Sequence, residues 1–281
     1  MSASERGRGE RVVEGYREIT LEVKDRVAVL TLSRPDIRNV ISHETMIAEI
    51  ERACAHVNRE RSISSLIITA AGTVFSAGGN VKDMAERGGM FGGSPAAVFW
   101  GYRDGIQRIP RAVDAVEVPT ICAVNGPAVG AGCDLAFMCD LRIASDQARF
   151  GETFVNLGIV PGDGGAYFLP RAVGAQKAAE MIFTGRTLSA SEALEAGLVL
   201  KVTPSTDLMR VTMELAADIA SKPPVAVRLA KLLYRQGLRA VNLGDFLDLC
   251  ASFQALCHHT DDHLEAVRAL LDKRAGRYTG A

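Results

Sequence analysis

Two glycine-bearing turns hold the residues of this chain best suited to chemistry. The first reads Phe75-Ser76-Ala77-Gly78-Gly79-Asn80-Val81-Lys82-Asp83-Met84, the second Asn125-Gly126-Pro127-Ala128-Val129-Gly130-Ala131-Gly132-Cys133-Asp134-Leu135. Each follows an apolar run and leads toward a helix-like segment. Backbone N–H groups at such a helix start have no partner inside the helix. They can hold a phosphate or stabilise an oxyanion, although a Gly-rich turn also serves tight packing alone. Neither turn is GxGxxG, and no GxxxxGK followed by Ser or Thr occurs, so Rossmann nucleotide and P-loop readings lose support. GxSxG and HExxH are also missing. Ser76 has no histidine in a recognisable partner context, which argues against a triad nucleophile. His258, His259 and His263, with Asp261 and Asp262, look superficially like metal ligands. Without strand context, a polar helix surface or a subunit contact fits them better, and no metal is expected.

These turns need a scaffold, and the apolar pattern supplies one. Ile19, Leu21 and Val23 alternate with polar residues, as do Val27, Val29 and Thr31 after Lys24-Asp25, which predicts a β-hairpin. Met46, Ile50, Ala53 and Val57 follow helical spacing behind Ser42, a plausible N-cap. Leu66-Ile67-Ile68 and Ile121–Val124 read as buried strands of a parallel sheet. Between them, Phe99, Ile106, Ile109, Val113 and Val116 have helical spacing, and a third strand is expected near Leu141–Ala144. Helices follow Gly158, then a short strand at Val199–Val202, then helical patterns at 207–221, 225–236, 245–257 and 261–273. Alternating strands and helices argue an α/β fold whose last helices form a subdomain or an oligomer arm. The expected divisions are a disordered tail at 1–15, an α/β core at 16–205 and a helical region at 206–281.

The chain has 281 residues, 48% hydrophobic and 23% charged, as in a globular protein able to fold without staples. Lys plus Arg is 32 against 33 for Asp plus Glu, a formal net charge of -1. That balance argues against a nucleic-acid backbone as the main partner. Six cysteines without a CxxC pair read as small buried hydrophobes in a reducing compartment. Met1–Glu10 has no apolar h-region, and no run of about 18 apolar residues occurs. A cytoplasmic protein with no membrane partner is expected.

Several segments in order resemble the crotonase (enoyl-CoA hydratase/isomerase) superfamily. They are the two turns, Leu32-Ser33-Arg34-Pro35 to Asn39, and Phe150-Gly151 through Gly158-Ile159-Val160-Pro161-Gly162-Asp163-Gly164-Gly165. The likeness continues through Leu169-Pro170-Arg171, Thr184-Gly185-Arg186 and Glu192-Ala193 to Gly197-Leu198-Val199, and covers residues 17–275. It implies a spiral of ββα units with C-terminal helices that make trimer contacts, giving a homotrimer or a dimer of trimers. It further implies an acyl-CoA thioester substrate, so that coenzyme A enters with the substrate and no separate cofactor is needed. Carried onto this chain, the thioester oxygen would lie between the amides of Gly79 and Ala131. Ile37, Arg38, the Ala77 backbone and Lys82 would line the coenzyme A site, Lys82 offering a point charge to a phosphate.

Hydratases of the superfamily typically carry two glutamates. The first position here is Asp134, which shares a helix face with Ala131 at i+3. The second is Phe154, a substrate-lining residue that transfers no proton. Asp163, in the Pro161–Gly165 loop, is the other candidate acid or base, and Glu152 a weaker one. Apolar neighbours should raise the pKa of Asp134 toward a range useful for proton transfer. The expected function is therefore hydration or isomerisation of an enoyl-CoA. Acyl-CoA or β-diketone hydrolysis on the same fold, or non-catalytic coenzyme A binding, are the alternatives.

Overall fold

Alternation of apolar and polar residues builds the first sheet. The computed structural model describes residues 11–281. β1 (Arg11–Val12), β2 (Ile19–Lys24) and β3 (Val27–Leu32) run antiparallel. Asp25 and Arg26 join β2 to β3 with φ of 47° and 69°, a two-residue turn whose twist matches the strands it joins. The tail expected at 1–15 lies outside the described residues up to position 10. Beyond it, Arg11 and Val12 are in register with Val23 and Glu22, because the edge of β2 offers backbone partners that polarity alone does not reveal.

After α1 (Glu44–Arg59), β4 (Ser65–Ala70) pairs parallel with β3. The segment that follows holds α2 (Val81–Glu86), α3 (Pro95–Asp104) and α4 (Arg108–Asp114), and leads into β5 (Thr120–Val124). The single helical pattern expected from Phe99 to Val116 is split at Gly105, whose backbone (φ −101°, ψ −113°) is not helical. The expected cap at Ser42 is also displaced. His43 occupies the N-cap of α1 without a side-chain bond, while the Ser42 hydroxyl accepts from the Asn80 amide at 3.0 Å. That bond ties the start of α1 to the first glycine turn.

The remaining core elements are β6 (Pro127–Val129), α5 (Ala131–Met138), β7 (Leu141–Ser145), β8 (Arg149–Gly151), α6 (Gly165–Thr184), β9 (Thr187–Ser189), α7 (Ala190–Glu195) and β10 (Lys201–Thr203). The large sheet has the order β1-β2-β3-β4-β5-β7-β10, parallel from β3 onward. A small sheet, β6-β8-β9, stands beside it. Its three-residue strands are too short for periodicity to reveal. β10 begins two residues later than expected, since the Val199 amide donates back to Ala193 at the end of α7.

Side chains alternate across the large sheet and define two apolar layers. Leu30, Leu66, Ile68, Cys122 and Val124 face a core shared with α1, α4, α5 and α6. Val27, Ile67, Ile121, Ala123 and Ile143 face α8 (Leu208–Ala220), which buries Leu208, Val211, Ala216 and Ala220 against them. α9 (Pro224–Gly237) is fastened by charge. Buried Lys231 pairs with Asp140 at 2.8 Å and donates to the Val118 carbonyl at 2.6 Å. α8 and α9 therefore pack onto the sheet built by the preceding residues. α10 (Leu243–His258) and α11 (Asp261–Leu271) carry several large exposed apolar side chains, among them Leu247, Leu256, Leu264 and Leu271.

One polar residue locks the segment ahead of α1 to the first turn. Asn39 is fully buried with φ 51°, a left-handed conformation that asparagine tolerates better than most residues. Its side-chain amide donates to the Ala71 and Val74 carbonyls at 2.9 Å each, and its Oδ1 accepts from the Arg34 amide at 2.9 Å. Asn39→Ala removes all three bonds and is expected to cost about 3 kcal/mol of stability. Urea denaturation measures this, and a loss below about 1 kcal/mol would deny Asn39 that role.

Candidate active site

The two glycine turns come together because the backbone joins them directly. Ser76 bridges Ala128, Val129 donates to the Ser76 carbonyl at 3.0 Å, and Phe75 and Ser76 donate to Pro127 at 3.0 and 3.2 Å. The approach leaves no room for side chains. A Cβ on Gly132 would lie 2.5 Å from the Ser76 carbonyl oxygen, and one on Gly78 would lie 2.4 Å from that of Val129 and 3.0 Å from the Ala131 amide nitrogen. Gly78 also has φ 77°, so its lack of a side chain is required twice over. The Ser76 hydroxyl donates to the Asn39 carbonyl at 2.7 Å and accepts from Gly78 at 3.1 Å, a structural role.

Ala131 opens α5, whose first internal bond is Asp134 to the Gly130 carbonyl at 2.9 Å. Among the described residues the amides of Gly79 and Ala131 donate to no acceptor, whereas Gly78 and Asn80, on either side of Gly79, both do. Met84 and Phe91 cover Gly79. Tyr102 lies against Gly162 and meets Phe91 edge-on at 6.1 Å. Along Met84–Trp100, Met84 and Phe91 thus turn inward while Phe99 and Trp100 stay about half exposed.

Asp134 is fully buried on α5, and it does not stand alone. A Cβ on Gly165, the first residue of α6, would meet Asp134 Oδ1 at 2.2 Å and Glu152 Oε2 at 2.8 Å. Both carboxyls therefore press on one glycine. Neither has a hydrogen-bond donor among the described residues, and Asp163 Oδ1 is likewise without a partner. Burial pushes the Asp134 carboxyl well above its ordinary range, and the charge of Glu152 adds to this. The nearby Gly165 amide falls short of hydrogen-bond geometry and only tempers the rise. Glu152 is raised too, first by burial. Asp163, 4% exposed, is raised to about 7 by burial and then by the charge of Asp134.

Glu152 is the member of this group that sequence reasoning undervalued. It lies two residues before Phe154, just ahead of the tight turn Thr153–Leu157, and the chain direction there sends Glu152 inward. Phe154 is buried as well, its ring edge 3.7 Å from the place a Cβ on Gly130 would occupy. The available signal was a glutamate two residues after β-paired Phe150.

The segment expected to line a coenzyme A site also assembles. The Ala77 amide donates to the Arg38 carbonyl at 2.9 Å, and Ile41 donates to Gly78 at 2.9 Å. Arg38 has φ 55° and an exposed side chain, and Ile37 is half-buried beside it. Lys82 is exposed in the first turn of α2, its amide accepted by the Asn80 side chain at 3.1 Å. Neither Arg38 nor Lys82 forms a salt bridge among the described residues. The histidine cluster stands apart. His258 and His263 meet each other at 3.1 Å, and no metal-holding group of His, Cys, Asp or Glu occurs among the described residues.

Comparison with known proteins gives the same reading across nearly the whole chain. The family model described as enoyl-CoA hydratase/isomerase matches residues 22–281. The crotonyl-CoA hydratase of Syntrophomonas wolfei is 36% identical over 264 residues, covering 94% of this chain and 98% of that protein. The short-chain-enoyl-CoA hydratase of Clostridium acetobutylicum is also 36% identical, over 91% and 95%. The crystal structure of an enoyl-CoA hydratase from Bacillus anthracis superposes with a TM-score of 0.87 at 34% identity, covering 94% of this chain and all of that one. Since likeness of sequence and of backbone both span the turns, the spiral core and the C-terminal helices, the chain belongs to the enoyl-CoA hydratase/isomerase family and has the crotonase fold.

Proposed function

We propose that the protein hydrates or isomerises enoyl-CoA thioesters, with the carbonyl oxygen held by the Gly79 and Ala131 amides and Asp134 moving the proton. One observation carries this reading. Two amides without acceptors among the described residues stand on turns whose mutual placement is fixed by backbone bonds, beside a buried titratable carboxyl. As a proton is transferred at the carbon next to the carbonyl, negative charge develops on the thioester oxygen. Preplaced N–H donors in a dry pocket stabilise that charge by roughly 3 kcal/mol each. Their side chains take no part.

Asp163 is the second carboxyl. With its pKa near 7 it is partly ionised at neutral pH, which suits exchange with water or substrate. Three buried carboxyls favour turnover over a purely binding role, although Phe154 removes the usual second acid. Ile37, Arg38, Ala77 and Lys82 would receive coenzyme A, Arg38 and Lys82 meeting its phosphates, and no added cofactor is required. Met84 and Phe91 must move for the thioester to reach Gly79. The exposed apolar faces of α10 and α11 support association into a homotrimer or a dimer of trimers.

Asp134→Asn is expected to lower kcat on a short enoyl-CoA by about a thousandfold with little change in KM. Loss of the conjugated thioester absorbance follows the reaction, and near-full turnover would remove Asp134 from its role. Asp163 supplies a stability test. Its folded pKa lies above its unfolded value, so the folded state holds this proton more tightly, and stability falls as pH rises from about 4 to 7. Asp163→Asn should therefore gain on the wild type over that window, by on the order of 4 kcal/mol at most. Urea unfolding at both ends checks it, and a constant difference between the two proteins would contradict the raised pKa. Light scattering should give a mass three or six times the 30.0 kDa of the chain, and a monomer would refute the oligomer.

A further inference from the structure

Burial gives the Asp134–Glu152 pair a consequence beyond proximity. Both carboxyls are fully enclosed, no donor serves either, and both contact the same glycine. Charge on both carboxylates at once is strongly disfavoured in such a place, and one proton between them relieves the conflict at rest. The surrounding groups do not offer another solution. Asp163 acts on the pair from the loop before α6, and the Cys133 thiol lies beside it on α5. Tyr102 of α3 faces Asp163. Among the described residues no Lys, Arg or His acts on either carboxyl.

We propose that Glu152 is a positioning residue that shares one proton with Asp134, so that Asp134 enters the reaction as an acid and the chemistry runs as hydration. The inference rests on the acyl-CoA reading above and refines it. The pair as a whole holds one proton, and Asp134, on the helix face of the Ala131 amide, is the member placed to hand it to the substrate. The steps then balance. Asp163 carboxylate takes a proton from water as the water oxygen bonds to the β-carbon, and Asp134 gives its proton to the α-carbon. Asp134 and Glu152 are left as two buried anions. Their repulsion draws the proton gained by Asp163 back to Asp134 and restores the starting state.

Glu152→Gln tests this through the pH profile of kcat. A neutral amide in place of the carboxylate lets Asp134 lose its proton more easily. The alkaline decline of kcat should shift downward by at least about one pH unit, with roughly tenfold loss above it, recovery at lower pH and KM nearly unchanged. Glu152→Asp should restore part of the wild-type profile. An unmoved decline, or an equal loss at every pH, overturns the proposal. Infrared spectroscopy of the wild type provides a measurement that needs no folded Glu152 variant. At pH 8 the carbonyl band of a protonated carboxylic acid should be present, and Asp134→Asn should remove it. A wild type that turns over enoyl-CoA without that band refutes the shared proton and leaves the acyl-CoA reading intact. A wild type with the band and no turnover refutes the acyl-CoA reading instead.

Discussion

The parallel backbone contact between the two glycine turns is the constraint on which the rest depends. Ser76 and Ala128 are bridged, and the Val129 amide is committed to Ser76. With those bonds made, the amides of Gly79 and Ala131 are left unspent among the described residues. The glycines at 78 and 132 permit an approach that any β-carbon would block. The large sheet supports this contact from below, since β4 leads into the first turn and β5 into the second, and β4 and β5 are neighbours in register. Sheet order thus becomes site geometry through a few hydrogen bonds.

The carboxyl cluster is a second constraint, and it pulls against stability. Burying ionisable groups without donors disfavours their charged forms. A structural acid would be expected to gain a donor, as Glu49 does. That buried carboxylate accepts from the Arg17 amide at 3.0 Å and the Glu18 amide at 2.8 Å. Asp134, Glu152 and Asp163 have no such compensation. Their cost is retained where two elements, α5 and the start of α6, are pinned on the same small residue, Gly165. In the proposed reaction, the same dryness that raises their pKa values would strengthen the two amides acting on a developing oxyanion.

Much of this was legible in the sequence for identifiable reasons. Strands β2 to β5 and β7 announce themselves by alternation or by unbroken apolar runs, and the glycine turns lie directly after two of them. The amphipathic helices after Pro204 were likewise readable from their spacing. What escaped notice depends on contacts between distant segments. The β6-β8-β9 sheet is too short to have a period, and the division of α3 from α4 depends on the backbone of Gly105. Glu152 was underrated because motif alignment directs attention to Phe154. Which of two nearby side chains enters the core is decided by the turn at Thr153–Leu157 and by Gly130, against which Phe154 packs.

Under the proposed reaction, Phe154 and Glu152 together account for a site that lacks the usual second acid. The Phe154 ring packs against Gly130 beside the second turn and carries no proton, so in the proposed reaction any further proton carrier must come from elsewhere. Asp163 enters from the loop before α6 and Glu152 from the end of β8, and both converge on Asp134. An acid that donates from within such a group needs no solvent contact of its own at rest, which is compatible with the complete burial of Asp134. In the proposed reaction, substrate entry requires displacing Met84 and Phe91. The short α2 and the glycines at 88, 89, 92 and 93 leave that cover joined to the sheet by few apolar contacts, in contrast to the fully buried turns beneath it.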